Sequence, residues 1–147
     1  METDIEIENE QAMEAAAQRL AGYLENGDIV LLHGPLGAGK SVFARALIRT
    51  LSGDPALEVP SPTFTLVQYY ESEKGPLWHY DLYRIEDYEE ILPLGWEDSL
   101  ADGITIVEWP ERLGPLKPLH ALDIHIHPVQ DKPEKRILRM DSDRLSV

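Results

Sequence analysis

The chain has 147 residues and a net charge of −14, from 13 Lys and Arg against 27 Asp and Glu. This length is typical of one domain, so we expect a single domain over residues 1–147. The negative charge repels phosphate backbones and anionic lipids, which argues against direct contact with nucleic acid or a membrane. The chain has no cysteine, which excludes disulfides and Cys-ligated metals. No signal peptide or membrane span is recognisable, and we expect a cytoplasmic protein.

The N-terminal part predicts an amphipathic helix followed by a buried strand. Apolar residues from Met13 to Leu24 recur at helical spacing, with Asn9 as the N-cap and Asn26-Gly27 as the stop. Residues 28–33, DIVLLH, are too short and too continuously aliphatic for a surface helix. They predict a buried, parallel strand.

A phosphate-binding motif follows this strand. Residues 34–41, GPLGAGKS, match G-x-x-x-x-G-K-[ST], and a second amphipathic helix is predicted over residues 40–52. Such a loop points backbone N–H groups at an anion, and the helix N-terminus adds positive potential. The lysine then reaches the β- and γ-phosphates, and the serine hydroxyl binds Mg²⁺. A dinucleotide fingerprint is excluded because Val42 stands where it requires glycine. We predict that a nucleoside triphosphate is bound by Gly34, Pro35, Leu36, Gly37, Ala38, Gly39, Lys40 and Ser41.

Two acidic residues are candidates for metal binding and catalysis. Residues 104–108, ITIVE, predict a second buried strand that ends in Glu108, at the edge where open α/β sheets place ligands. Asp81 lies in the motif WHYDLYR, on one strand face with His79 and Tyr83. Taken alone, each carboxylate also fits a solvated edge charge. Beside a phosphate loop, Asp81 and Glu108 are predicted to hold Mg²⁺ and to act in catalysis.

The middle of the chain predicts a proline-rich connector and a hairpin. Residues 53–62 are irregular because three prolines fix their own φ, and residues 64–70 and 77–83 have the composition of paired strands. Residues 61–65, SPTFT, fit either a mobile segment closing over the γ-phosphate or an ordinary Ser-Pro turn. A short helix is expected over residues 86–92, followed by a loop through residues 93–95.

The C-terminal tail alternates apolar and polar residues. Leu122, Ile124 and Ile126 lie on one face, and a second apolar run follows a polar turn, so we predict a C-terminal hairpin. His125 and His127 form an H-x-H pattern on the other face. No third metal ligand is identifiable, and we interpret both as solvent-facing.

Four motifs together resemble one known family. GPLGAGKS, SPTFTLV, HYDLYR and IVEWPE occur in this order, and the combination closely resembles the bacterial TsaE family from the first helix to about residue 112. The resemblance implies a P-loop NTPase-like mixed sheet with helices on both faces. It also implies an ATPase with ATP and Mg²⁺ as cofactors, which works with the TsaB and TsaD proteins in making threonylcarbamoyladenosine on transfer RNA.

The resemblance also implies roles for individual residues. The catalytic set would be Glu108, Asp81 and Thr65, the metal ligands Ser41, Asp81 and Glu108, and the γ-phosphate segment would include Thr63, with Trp109 beside the site. The family typically has Asp and Thr where this chain has Pro35 and Ser41. Ser41 keeps the hydroxyl, whereas Pro35 removes a carboxylate and a backbone donor.

Two other functions fit the same phosphate loop. A small-molecule kinase would transfer the γ-phosphoryl group to a hydroxyl acceptor, but no second glycine-rich lid and no basic cluster for an anionic acceptor are present. A nucleotide-gated binding module would use ATP occupancy to set its affinity for a partner. The chain lacks a guanine-reading Asn-Lys-x-Asp pattern, which favours adenine.

Overall fold

The structure is a computed structural model that describes residues 2–141. Within these residues one sheet has the strand order β1-β7-β6-β2-β5-β4-β3. The four central strands, β6, β2, β5 and β4, are parallel, while β3 pairs antiparallel with β4, β7 with β6, and β1 with β7. The strands are β1 (Glu2–Ile7), β2 (Ile29–His33), β3 (Val67–Tyr70), β4 (Leu77–Asp81), β5 (Ile104–Glu108), β6 (Leu122–Val129) and β7 (Lys132–Asp141).

Helical segments cover both faces of the sheet. On one face α1 (Glu10–Ala21) and α2 (Lys40–Ser52) bury their apolar stripes against alternate residues of the central strands. On the other face α3 (Trp96–Ala101) and the 3₁₀ segments Tyr88–Leu94 and Pro110–Leu116 enclose a second core. The predicted mixed α/β fold, with helices on both faces and a C-terminal hairpin, is confirmed.

The helix α1 begins as predicted and ends earlier than predicted. The Asn9 side chain accepts a hydrogen bond from the Ala12 N–H at 2.9 Å, which satisfies a free donor of the first turn. The last helical residue is Ala21, and Gly22 caps the helix. Asn26 instead donates to the Lys74 carbonyl at 3.0 Å, so the expected stop signal is a tertiary contact.

Several local predictions are wrong. The strand expected over residues 77–83 ends at Asp81, so residues 82–83 lie outside it. Residues 64–66 are not part of a strand, because the chain turns there and the Leu66 N–H donates to the Pro62 carbonyl at 2.6 Å. The short helix over residues 86–92 is a 3₁₀ segment two residues further on, started by the Asp87 side chain. The loop expected through residues 93–95 is replaced by the end of this 3₁₀ segment and by Gly95, the N-cap of α3. Trp96, the first residue of α3, is buried in the second core.

Within residues 2–141, no helix has the length and apolarity needed to cross a membrane.

Candidate nucleotide-binding site

Polar side chains end β4 and β5 at the edge of the sheet where the glycine loop leaves β2. On the face covered by α1 and α2, the first residues of both strands are apolar and the last are His79, Asp81 and Glu108. Asp81 pairs with Glu108 across the two parallel strands, so both carboxylates lie at the same level. All three side chains are buried, with 2–4% of their surface exposed. Buried charges of this kind require partners.

The glycine loop is held close to the sheet and to α1. A Cβ on Gly34 would lie 2.9 Å from the Ile126 carbonyl oxygen of β6, so only glycine allows this approach. Gly39 has a φ of +109°, a conformation that residues with side chains rarely adopt, and it precedes the first residue of α2. The loop therefore delivers Lys40 and Ser41 to the N-terminal turn of a helix.

Lys40 is held back against the loop. Its Nζ donates to the Gly34 carbonyl at 2.5 Å and lies 3.2 Å from the centre of the Trp109 ring. Burial lowers the pKa of Lys40, and the negative charges of Glu108, Glu111 and Asp81 partly oppose that shift. The ammonium group thus lies beside an aromatic face and two buried carboxylates, a position suited to an anionic ligand that displaces the carbonyl contact.

Glu108 joins three elements. Its Oε2 lies 2.7 Å from His79 Nε2, and its Oε1 accepts from the Ser41 hydroxyl at 3.3 Å. The His79 Nδ1 is buried without a hydrogen-bond partner in the described structure. We assign the ring proton to Nε2, because this tautomer donates to the carboxylate and leaves no N–H unpaired. His79 therefore orients Glu108. The only signal for His79 in the sequence was its position on the same strand face as Asp81.

Asp81 is tied to the proline-rich connector. The Thr63 hydroxyl donates to Asp81 Oδ2 at 2.8 Å, and the Tyr83 N–H donates to Oδ1 at 3.0 Å. Ser61 Oγ lies 2.8 Å from Thr63 Oγ1, which extends the polar chain outward. The turn at residues 62–66 brings Thr63 to this position, and its Leu66 carbonyl accepts from the Asp81 N–H at 3.0 Å.

These groups line one open cleft of about 370 Å³. Thr65 is exposed and accepts from the Gln68 side chain, outside the cleft. Arg84 packs its guanidinium 5.0 Å from the Phe64 ring and is not a lining residue either. The structure thus brings together the predicted residues Lys40, Ser41, Thr63, Asp81 and Glu108 and leaves Thr65 aside. The full lining is Leu36, Gly37, Gly39, Lys40, Ser41, Val42, Ser61, Thr63, Asp81, Tyr83, Glu108 and Trp109.

Trp109 forms an aromatic wall of the cleft. It follows β5 with a φ of +60° and a ψ of +53°, which is uncommon for a residue with a large side chain. Its ring packs at 4.9 Å from that of Tyr83 as well as over Lys40. Backbone strain of this kind is concentrated at functional positions.

A second hollow of about 260 Å³ borders the other side of the glycine loop. It shares Gly37, Gly39 and Val42 with the cleft. Ala38 of the loop also lines it, and the remaining lining comes from the start of α1 and from the β6–β7 hairpin: Asn9, Glu10, Met13, Pro133, Glu134 and Arg136. Ala38 was predicted from the phosphate motif, whereas the residues from α1 and the hairpin were not predicted as site residues, because they are distant in the chain and carry no motif.

The two histidines of β6 lie away from the cleft. His125 stacks on His33 of β2 at 4.2 Å and lies 6.1 Å from His127. Burial lowers the pKa of His125, with smaller contributions from the charges of His33, His127 and Arg139, while Asp123 opposes the shift. Within residues 2–141, no group of three or more acidic or histidine side chains has the arrangement of a metal site.

Comparison with known proteins assigns this chain to a family. A family model described as "Threonylcarbamoyl adenosine biosynthesis protein TsaE" matches residues 7–138. The chain belongs to the TsaE family. The TsaE match continues past residue 112, where the motif resemblance stopped, and includes most of the C-terminal hairpin.

Individual TsaE proteins align over different lengths. A "tRNA threonylcarbamoyladenosine biosynthesis protein TsaE" from Rickettsia bellii is 33% identical over 137 residues, or 93% of each chain. The one from Aquifex aeolicus is 38% identical over 74% of this chain and 77% of its own. The one from Rickettsia felis is 42% identical over 71% of this chain. The aligned part covers only 61% of that relative's length. The crystal structure of Bacillus subtilis YdiB superposes with a TM-score of 0.79 at 26% identity, covering 97% of this chain and 86% of YdiB.

Proposed function

We propose that this chain binds ATP with Mg²⁺ and hydrolyses it, as a single P-loop domain acting in the cytoplasm. The observation that carries the proposal is the meeting of the glycine loop, Lys40, Ser41 and two buried carboxylates in one cleft. We further propose that hydrolysis supports TsaB and TsaD in threonylcarbamoyladenosine modification of tRNA. Membership of the TsaE family supports that pathway, and a net charge of −14 favours action on protein partners rather than on the tRNA itself.

The glycine loop and the first turn of α2 would hold the triphosphate. Backbone N–H groups of the loop and of the helix N-terminus offer donors and positive potential to phosphate oxygens. Lys40 would exchange the Gly34 carbonyl for the β- and γ-phosphates, since its ammonium already lies at the cleft. An anionic phosphate is the stronger partner because both members of the hydrogen bond are then charged.

The donor set of the cleft fits Mg²⁺. Ser41, Asp81 and Glu108 offer a hydroxyl and carboxylate oxygens, the hard ligands that this ion prefers, and Mg²⁺ commonly takes only one or two carboxylates beside phosphates. When bound, Mg²⁺ supplies charge neutralisation on the phosphates. Thr63 holds Asp81 from the connector, and His79 holds Glu108 from β4.

We assign Glu108 the role of orienting the attacking water and accepting its proton. It lies at the end of β5, its carboxylate is fixed by His79 at 2.7 Å, and Ser41 reaches its second oxygen. Asp81 is the second member of the acidic pair. Thr65 enters this proposal only through a movement of residues 61–66, because it lies outside the cleft in this structure.

We place the nucleoside in the hollow on the other side of the loop. The hollow and the cleft share loop residues, so a nucleotide whose phosphates lie along the loop extends naturally from one into the other. Its volume of about 260 Å³ accommodates a purine. The Asn9 and Glu134 side chains at its border offer hydrogen-bonding groups to the base.

A nucleotide-gated binding module is the second candidate, and exposed apolar side chains favour it. Leu36 and Tyr83 line the cleft with 71% and 41% of their surface exposed, and Phe64, beside Thr63, is 81% exposed. Large apolar side chains around a ligand site are typical of a partner-binding surface. ATP occupancy would then change the surface that the partner contacts.

Phosphate release from ATP, measured with Mg²⁺ and with or without TsaB and TsaD, tests these functions. We expect slow hydrolysis by the chain alone and stimulation by the two proteins. Partner binding that follows the nucleotide state but survives loss of hydrolysis in Glu108→Ala would favour the binding module. Phosphorylated product formed from an added hydroxyl acceptor would favour a kinase. A chain that does not bind ATP would refute the proposal.

A further inference from the structure

Arg136 connects the C-terminal hairpin to the glycine loop. From β7, its Nε donates to the Ala38 carbonyl at 2.9 Å and its Nη2 donates to the Gly37 carbonyl at 3.1 Å. Its Nη1 donates to the carbonyls of Pro133 and Lys135 within the hairpin, at 2.7 and 2.9 Å. One guanidinium group thus links two backbone segments that lie 98 residues apart in sequence.

The two loop contacts fix the orientation of two peptide groups. A trans peptide directs its C=O and the following N–H to opposite sides. With the Gly37 and Ala38 carbonyls turned toward Arg136, the N–H groups of Ala38 and Gly39 point away from it. The Ala38 N–H closes a turn on the Pro35 carbonyl at 3.1 Å. The Gly39 N–H, directly before α2, is left facing the side on which an anion would bind.

The loop needs such a restraint because its glycines permit other conformations. Gly37 and Gly39 have φ values of +76° and +109°, and they flank the peptide groups that Arg136 contacts. Glycine loses more conformational freedom on ordering than any other residue, and a flipped peptide would present a carbonyl to the phosphates. Fixing the loop before the ligand arrives removes part of that entropic cost from binding.

The other end of the restraint is itself anchored. The neighbouring Lys135 ammonium lies 3.6 Å from the Glu6 carboxylate of β1 and 3.7 Å from that of Glu8, just before α1. Arg136 therefore attaches the glycine loop to a hairpin whose strand β7 pairs with β1 from Arg136 to Asp141. It also places a positive charge next to the loop in a chain of net charge −14.

We propose that Arg136 is a positioning residue for polyphosphate binding: it holds the glycine loop with the Gly39 N–H toward the phosphates. The C-terminal hairpin is then part of the nucleotide-binding device. The inference rests on the proposed binding of ATP, and it goes further by giving a role to a residue outside the four motifs.

The test compares Arg136→Ala, Arg136→Lys and a matched control, Arg139→Ala. Arg139 lies on the same strand and bonds to Asp4 at 2.9 Å, away from the loop. The dissociation constants of Mg·ATP and of inorganic tripolyphosphate are measured by calorimetry well below the unfolding temperature of each variant. We expect Arg136→Ala to weaken both ligands by about tenfold, as loss of charge-assisted hydrogen bonds implies. Arg136→Lys should recover part of this loss, and Arg139→Ala should bind both ligands like the unsubstituted chain.

The outcomes separate this inference from the proposed function. If the unsubstituted chain binds neither ligand, ATP binding itself is refuted. If it binds both and Arg136→Ala does so equally well, only the positioning role is refuted, and a lower unfolding temperature would then reflect hairpin stability alone. A loss confined to ATP would mean that Arg136 contacts the nucleoside and would also overturn the inference. Should Arg136→Ala not fold, Arg136→Lys decides, because a positioning role requires weaker binding of both ligands.

Discussion

Two replacements of Glu108 distinguish its contribution to folding stability from its role in hydrolysis. In Glu108→Ala, the buried His79 ring loses its contact at Nε2, and its Nδ1 already lacks a hydrogen-bond partner in the described structure. A buried polar group without a partner costs about 1–3 kcal/mol. Taking about 2 kcal/mol, and about 2–4 °C per kcal/mol for a chain of this size, we expect the unfolding temperature to fall by about 4–8 °C.

Glu108→Gln is the informative companion variant. The amide keeps an oxygen that accepts from His79 Nε2–H, so only the charge assistance is lost, about 1 kcal/mol. Both variants should lose hydrolysis, by about 10²–10⁴-fold, because neither can accept a proton from water. Both should keep ATP affinity within about tenfold, since the glycine loop and Lys40 are intact.

Three assays check this expectation: thermal unfolding, calorimetric titration with Mg·ATP, and phosphate release. Glu73→Ala is the control, because Glu73 is an exposed carboxylate in the turn between β3 and β4 and does not line the cleft. Substantial hydrolysis in Glu108→Gln would refute the assigned role. An unfolding temperature in Glu108→Ala equal to that of Glu108→Gln would refute the stability argument from His79.

Three further predictions concern other parts of the chain. Lys40→Ala should lose ATP binding by about 100-fold or more, because the cation at the cleft is removed; near-normal affinity by calorimetry would contradict the assignment. Asn9→Ala should lower the unfolding temperature by about 2–4 °C through loss of a cap worth about 1 kcal/mol, and Asn9→Asp should not. Burial lowers the pKa of His125 in the folded chain. Near and below pH ~6.5, the histidine is therefore protonated to a greater extent in the unfolded chain than in the folded chain. Stability should therefore fall as the pH decreases from 7 toward 5, and His125→Asn should reduce that slope; an unchanged slope would exclude this contribution.

Local signals in the sequence were sufficient for the centre of the fold. Three signals were clear: the aliphatic runs of β2 and β5, the phosphate-loop motif and the apolar stripe of α2. Each comes from a segment in which one structural requirement holds from its first residue to its last. Burial on both faces makes a parallel strand continuously apolar, and a loop between strand and helix needs glycine where φ is positive. The acidic end of β5 was predictable because open α/β sheets place ligands at the carboxyl ends of their parallel strands. Asp81 was predicted as a site residue from its motif, but not as the end of β4, because that strand was expected to continue to residue 83.

Edge elements were harder because their signals are short and mixed. In β1, Ile5 and Ile7 alternate with charged or polar residues, a strand pattern that the acidic composition of the N-terminus concealed. The six residues of α3 lie between a glycine and Asp102 and depend on the packing of Trp96 against Tyr80 at 5.3 Å. Tertiary packing decides such segments, since helices this short are marginal in water.

The sequence by itself determined the phosphate loop, the strands β4 and β5 that carry the two acidic residues, and the family. Only the tertiary structure decided which side chains meet there: Thr63 with Asp81, His79 with Glu108, and Arg136 with the loop carbonyls. The physical reason is that motifs record local backbone requirements, such as glycine at positive φ. A hydrogen bond between residues 98 positions apart depends on sheet order and strand register, which no local pattern specifies.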